Sequence, residues 1–122
     1  MTLLELFSSK SLAVFRTKKP LVAIGGITRS RADLEARTNR LARAYQALGV
    51  IRDSFVTIGL PNGLEFYEAV LAVWKAGATP QPISSRLPVV ERRAIIELAN
   101  PSLVVGVDPS ETAARATIPA GF

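Results

Sequence analysis

Two kinds of apolar pattern alternate along this chain, and their order predicts its architecture. Residues 55–60 (FVTIGL) form a short, β-branched, nearly unbroken apolar run, as expected of a strand covered on both faces. The turn Pro61-Asn62-Gly63 follows, with Asn62 placed to cap a helix and Glu65 three residues later. Over 64–76 apolar residues (Leu64, Phe66, Val70, Leu71, Val73, Trp74) occupy most of the helical circumference, which predicts burial on more than one side. Gly77 closes that helix, and residues 79–83 (TPQPI) read as extended. Pro80 and Pro82 lack an N–H and assign this strand to an edge. Pro88 opens a further helix to about Ala99 with Val90, Ala94, Ile95 and Leu98 facing inward, and Asn100-Pro101 stops it. Residues 103–107 (LVVGV) are a third buried strand; 113–122 show no pattern.

Upstream, residues 2–10 carry Leu3, Leu4, Leu6 and Phe7 at the spacing of a short docking helix. Residues 11–15 and 20–24 are apolar runs joined by Arg16-Thr17-Lys18-Lys19, a hairpin pattern, with Gly25-Gly26 as the break after it. A long helix follows. Ser30 is its N-cap with Asp33 three residues on, Leu34, Leu41, Tyr45 and Leu48 line one side, and Gly49 stands at the left-handed C-terminal position. Arg31, Glu35, Arg37, Arg40 and Arg43 form its polar face. The β-α-β-α-β order over 55–107 predicts a three-layer, doubly wound α/β unit with a mainly parallel sheet, because such crossovers are right-handed and place helices on the sheet faces.

Composition narrows the chemistry. With 122 residues, 48% of them apolar, the chain fits one domain with a real core. It has no cysteine and no histidine, which removes thiol nucleophiles, imidazole acid–base work and most zinc or iron sites. The acidic residues are scattered singly without metal-loop spacing. The net charge of +5 is spread along helices, not massed in one block, so a solvated basic surface is the reading preferred over a nucleic-acid partner. There is no bilayer-length apolar run and no signal-peptide pattern, and a cytoplasmic location is the expectation.

In an open parallel sheet ligands collect beyond the carboxyl ends of the strands, which singles out Pro61-Asn62-Gly63, Ser84-Ser85-Arg86 and Asp108-Pro109-Ser110. Asn62 reads as a helix cap or as part of an anion-accepting helix start. Arg86, beside two hydroxyls, offers a planar charged fork suited to phosphate, or is an exposed arginine without a ligand. Tyr45 and Trp74 read as core. Ser11, Ser30 and Ser54 have no neighbouring base, and neither a dinucleotide fingerprint nor a phosphate-gripping P-loop is present.

Six ordered pieces of the chain also carry a family resemblance: Leu34 through Ala44 (LEARTNRLARA), Leu48-Gly49-Val50, Phe55-Val56-Thr57-Ile58, Pro61-Asn62-Gly63-Leu64-Glu65-Phe66, Lys75-Ala76-Gly77-Ala78, and Pro82-Ile83-Ser84-Ser85-Arg86-Leu87. Together they cover roughly residues 21–108 and resemble the N-terminal portion of the large domain of the AMP-forming acyl-CoA synthetases, the superfamily of acyl and aryl-CoA ligases, luciferase and adenylation domains. The phrase PNGLEFYEAVLAVWKAGATPQP is similar to fatty-acyl and bile-acid CoA ligase-like members. Two departures stand out: Arg52-Asp53 where the family has Gly-Asp, and Ser84-Ser85 where it has Asn-Pro. The resemblance implies a single partial domain over 1–122, and a parent ligase that uses ATP, Mg²⁺ and coenzyme A to convert a carboxylic acid to an acyl-adenylate and then a thioester. The family's phosphate loop and C-terminal lysine are not found in these residues, so the chain is expected to be an N-terminal fragment, inert alone, that completes itself with the remainder of the enzyme or self-associates. No catalytic or metal-binding residue is carried over. The match assigns Arg86 alone, as a contact to the phosphates of coenzyme A. A different class remains open: a free-standing α/β module that binds a phosphorylated ligand or a protein partner.

Overall fold

The computed structural model describes residues 20–24, 27–112 and 115–122. The segments read as a docking helix (2–10) and as the first hairpin strand (11–15), and the glycine pair 25–26, lie outside them. Strand β1 (Pro20–Ile24) pairs antiparallel with β2 (Ile27–Ser30). Among the described residues 20–24 pairs with the downstream segment, whose Ile27 and Thr28 are β-branched, and the expected pairing with 11–15 lies outside them.

Helix α1 (Arg31–Ala47) starts where its cap predicts: the Ser30 hydroxyl accepts from the Asp33 N–H at 3.1 Å. It ends before Gly49, which has φ of +111°, a conformation that costs a glycine nothing. Leu48 caps the helix and is exposed, whereas Glu35, assigned to the solvated face, is buried. Glu35 lies toward Lys75, whose ammonium donates to Thr38 Oγ1 at 2.7 Å and Asn39 Oδ1 at 2.8 Å. Burial lowers the Lys75 pKa, and the Glu35 charge partly offsets that.

A four-stranded parallel sheet in the order β4-β3-β5-β6 forms the centre. It comprises β3 (Phe55–Ile58), β4 (Thr79–Pro82), β5 (Leu103–Val105) and β6 (Thr117–Ile118). Helix α2 (Leu64–Lys75) connects β3 to β4, and α3 (Val89–Ala99) carries the chain back past β3 to β5. One face of the sheet (Val56, Ile58, Leu103, Val105, Ile118) packs under α1 and α2 through Leu41, Tyr45, Ala69, Val70 and Val73. The other face meets α3 through Val104, Ile95 and Ile96. The three-layer α/β arrangement expected from the sequence is thus present, with Tyr45 fully buried and Trp74 packed against the core. Strand β6 was missed. A two-residue strand is too short to leave an alternation in the sequence.

The inward stripe of α3 also differs from the expected one. Ile96 is fully buried, but Val90 and Leu98 are 79% and 89% exposed. The stripe runs through Arg92, Ile95, Ile96 and Ala99, at helical i, i+3, i+4 and i+7 spacing. A charge at position 92 points the sequence reading to the wrong phase. Its burial is possible because Glu111 neutralises it.

Strand β4 lies at an edge among the described strands. Thr79 and Ile83 donate their N–H groups to Ser54 and Ile58 on the β3 side, so Pro80 and Pro82 face away from β3. The departure at Arg52-Asp53 costs little, because the positive φ of that turn falls on Asp53 (+66°), a residue type that tolerates it. The Asp53 N–H bonds Gly77 O at 2.9 Å.

Burial pushes the Tyr45 phenol up to about 12, with Glu65 and Glu68 adding to the shift and Arg37 opposing it. The unfolded phenol ionises at 10.0. Between these values the unfolded chain has released a proton that the folded chain keeps, so stability falls as pH rises through this window, at about 1.4 kcal/mol per unit for one group. Tyr45→Phe is expected to remove this component, giving a shallower alkaline loss than wild type in urea titrations from pH 9 to 12. Parallel alkaline slopes would show that Tyr45 does not titrate this way.

Candidate functional site

The carboxyl ends of the strands set the site. Beyond β3 the chain continues through Gly59 and Leu60, and beyond β5 through Gly106 and Val107. These two exits are pressed together: a Cβ on Gly59 would lie 2.5 Å from Val107 Cγ2, and one on Gly106 2.5 Å from Leu60 Cδ2. Gly106 also has φ of +79°. The Gly59 N–H bonds Val105 O at 2.8 Å, so the sheet is closed on this side. It opens on the β4 side, where Leu60, Pro61, Asn62, Phe66 and residues 82–86 line a cleft of about 600 Å³.

Two of the three strand-end loops singled out in the sequence therefore meet. Asn62 and Ser84-Ser85-Arg86 share the cleft, and Asp108-Pro109-Ser110 does not line it. Buried Leu60 and Ile83 and half-buried Phe66 give the cleft an apolar part, and exposed Asn62, Ser84, Ser85 and Arg86 give it a polar and charged one, so it offers contacts to both kinds of ligand group.

Asn62 does not cap α2. Gly63 occupies the N-cap position in an extended conformation with no side-chain cap bond, and Asn62 is exposed. The first turn of α2 is left with N–H groups that no side-chain cap meets, and the acidic Glu65.

Arg86 is exposed at the rim. Its N–H donates to Ser84 Oγ at 3.2 Å, and the Leu87 N–H reaches Ser84 O at 3.3 Å, so Ser84 organises the turn where the family carries Asn-Pro. No hydrogen bond or ion pair of the Arg86 guanidinium is formed among the described residues. Sequence reasoning placed Arg86 correctly at the strand end. It missed Arg92, which joins Ser85 O (Nη1, 3.1 Å) and both oxygens of Glu111 (3.0 Å each). Nineteen residues separate this pair, and no sequence signal links them.

The third loop has a structural role. Asp108 accepts from both the hydroxyl and the N–H of Ser110, at 2.7 and 2.9 Å, which holds its carboxyl below the usual range. Among the described residues no three acidic side chains come together as a metal site, and no helix is long and apolar enough to cross a membrane.

Comparison with known proteins shows first the fold and then the family. The O-succinylbenzoate coenzyme A synthetase of Bacillus subtilis, solved in complex with AMP, shares the fold with a TM-score of 0.75 at 22% identity, over 88% of this chain and 30% of that one. The AMP-binding enzyme family model matches residues 10–120, and the chain belongs to that family. It is 34% identical over 106 residues to the non-canonical nonribosomal peptide synthetase CymA of Salinispora arenicola, covering 87% of this chain and 1% of CymA. With the 2,3-dihydroxybenzoate-AMP ligase of B. subtilis it shares 36% identity over 59 residues, 48% of this chain and 11% of that enzyme. The chain spans a small fraction of the length of the curated relatives it matches.

An exposed arginine whose side chain has no partner among the described residues contributes little to folding. Arg86→Ala is expected to change unfolding free energy by less than about 0.5 kcal/mol, measured by urea denaturation. A larger loss would show that the side chain is structural and would disqualify it as a clean probe of the cleft.

Proposed function

We propose that this chain is the N-terminal segment of an ATP-dependent, AMP-forming acyl-CoA ligase. The family match over residues 10–120 is the observation that carries this reading. In the proposed reaction a carboxylate attacks ATP to give an acyl-adenylate and pyrophosphate, and the thiol of coenzyme A then displaces AMP. The likeness of the phrase over 61–82 to fatty-acyl and bile-acid CoA ligases supports an apolar carboxylic acid as substrate. Arg86 is assigned to the phosphates of coenzyme A. Its exposed position in the lining of the cleft, with no competing ion pair among the described residues, supports that role. The described residues do not supply a ligand set for Mg²⁺, so none is assigned to it. The residues of the chemical steps are proposed to lie in the remainder of the enzyme, and this chain by itself is proposed to be inert.

A second reading concerns the acceptor. Similarity to CymA supports a carrier-bound thiol in place of free coenzyme A.

The test uses the enzyme that contains this segment. Carboxylate-dependent pyrophosphate release across a panel of fatty, bile and aromatic acids is expected, followed by thioester formation with coenzyme A. Arg86→Ala should raise the KM for coenzyme A by about tenfold or more, as loss of a charge-assisted hydrogen bond does, with adenylate formation unchanged. Adenylate formation without any coenzyme A thioester would favour the carrier-bound acceptor, and no pyrophosphate release with any acid would defeat the proposal.

The 122-residue chain alone is proposed to self-associate, because α3 exposes Val89, Val90 and Leu98 between its charged residues Glu91, Arg93 and Glu97. Sedimentation velocity at rising concentration should show an increasing weight-average mass. A monomer throughout would refute this.

A further inference from the structure

We infer that Arg92 is a positioning residue for the cleft: by tying Ser85 to Glu111 it fixes the loop that presents Arg86, and so sets affinity for a phosphate-bearing thiol cosubstrate that it never touches. The claim about affinity rests on the reading of Arg86 given above; the claim about the loop stands without it.

The geometry is specific. All three guanidinium nitrogens of Arg92 are engaged: Nε on Glu111 Oε2 and Nη2 on Oε1, each at 3.0 Å, and Nη1 on Ser85 O at 3.1 Å. Both ends are anchored by backbone. The Arg92 N–H bonds Pro88 O at 3.0 Å in the first turn of α3, and the Glu111 N–H bonds Asp108 O at 2.9 Å in the turn after β5. The side chains are 17% and 15% exposed, so salt screens this pair far less than a surface pair. Within the loop itself the two bonds to Ser84 are long, at 3.2 and 3.3 Å, and Ser84, Ser85 and Arg86 are all exposed. Ile83, buried and bonded to Ile58 O at 2.9 Å, anchors the start of the loop, and among the described residues the Arg92 bond to Ser85 O ties its exposed middle to α3. Only a planar fork spans both partners at once; a lysine keeps charge opposite Glu111 but cannot also reach Ser85 in the same geometry.

Trypsin reads the loop directly, because the Arg86–Leu87 bond is itself a cleavage site and cleavage tracks the population of the opened loop. In Arg92→Met, Arg92→Lys and Glu111→Gln the initial rate at Arg86–Leu87 is expected to rise about tenfold relative to the rate at Arg40–Leu41 in α1, the order expected for losing a hydrogen bond to a charged group. The ratio of rates separates local opening from general destabilisation. An unchanged ratio in Arg92→Lys and Glu111→Gln, the two mildest changes, overturns the positioning role. In the complete enzyme, Arg92→Lys should raise the KM for coenzyme A several-fold with adenylate formation unaltered, and Arg86→Ala serves as the control. If Arg86→Ala shifts this KM and Arg92→Lys does not, the affinity claim is wrong. If Arg86→Ala leaves it unmoved, the reading of the cleft fails and the affinity claim falls with it, while the proteolysis ratio still decides the role of Arg92 in the loop.

Discussion

The enclosure of β3 is the constraint on which the molecule depends. Val56, Thr57 and Ile58 have no exposed surface, with β4 on one side, β5 on the other and helices over both faces. A backbone in that position has no water to turn to, so its polar groups must be met by neighbouring strands. Thr57 adds a buried hydroxyl, which donates to Gln81 Oε1 at 2.7 Å. Left unpaired, such a group costs about 1–3 kcal/mol. The bond also secures register, because a one-residue slip of β4 would move Gln81 to the opposite face of the sheet.

The asymmetry of the strand ends follows from that enclosure. On the β5 side two glycines let the exits of β3 and β5 approach until no further side-chain atom fits. On the β4 side the residues that follow β3 and β4, among them Pro61 and Ile83, leave a cleft between them. A ligand site at this place needs no dedicated catalytic constellation in the chain. It results from a sheet that is sealed on one flank and splayed on the other.

How much of this was legible in the sequence depended on the range of the interaction. Local signals were read correctly: the Ser30 cap, the Gly49 stop, the Asn100 terminus with its φ of +48°, and the edge placement of the proline-bearing strand. Arg86 could be put at a strand end because strand, turn and helix follow one another directly. Three features were hidden for stated reasons. The Gly63 cap makes no side-chain bond that a capping residue type would signal, the short strand β6 depends on β5 as a template, and the buried phase of α3 depends on a carboxylate nineteen residues away. The family resemblance succeeded because it draws on many weak local matches in order.

The two prolines of β4 have one more effect. On the side turned from β3 the backbone at positions 80 and 82 presents carbonyl oxygens and nothing to donate. A second copy arriving there finds half of a ladder missing, so templated stacking of strands into fibrils is disfavoured from this flank. Copies that meet at this flank must therefore do so through side chains.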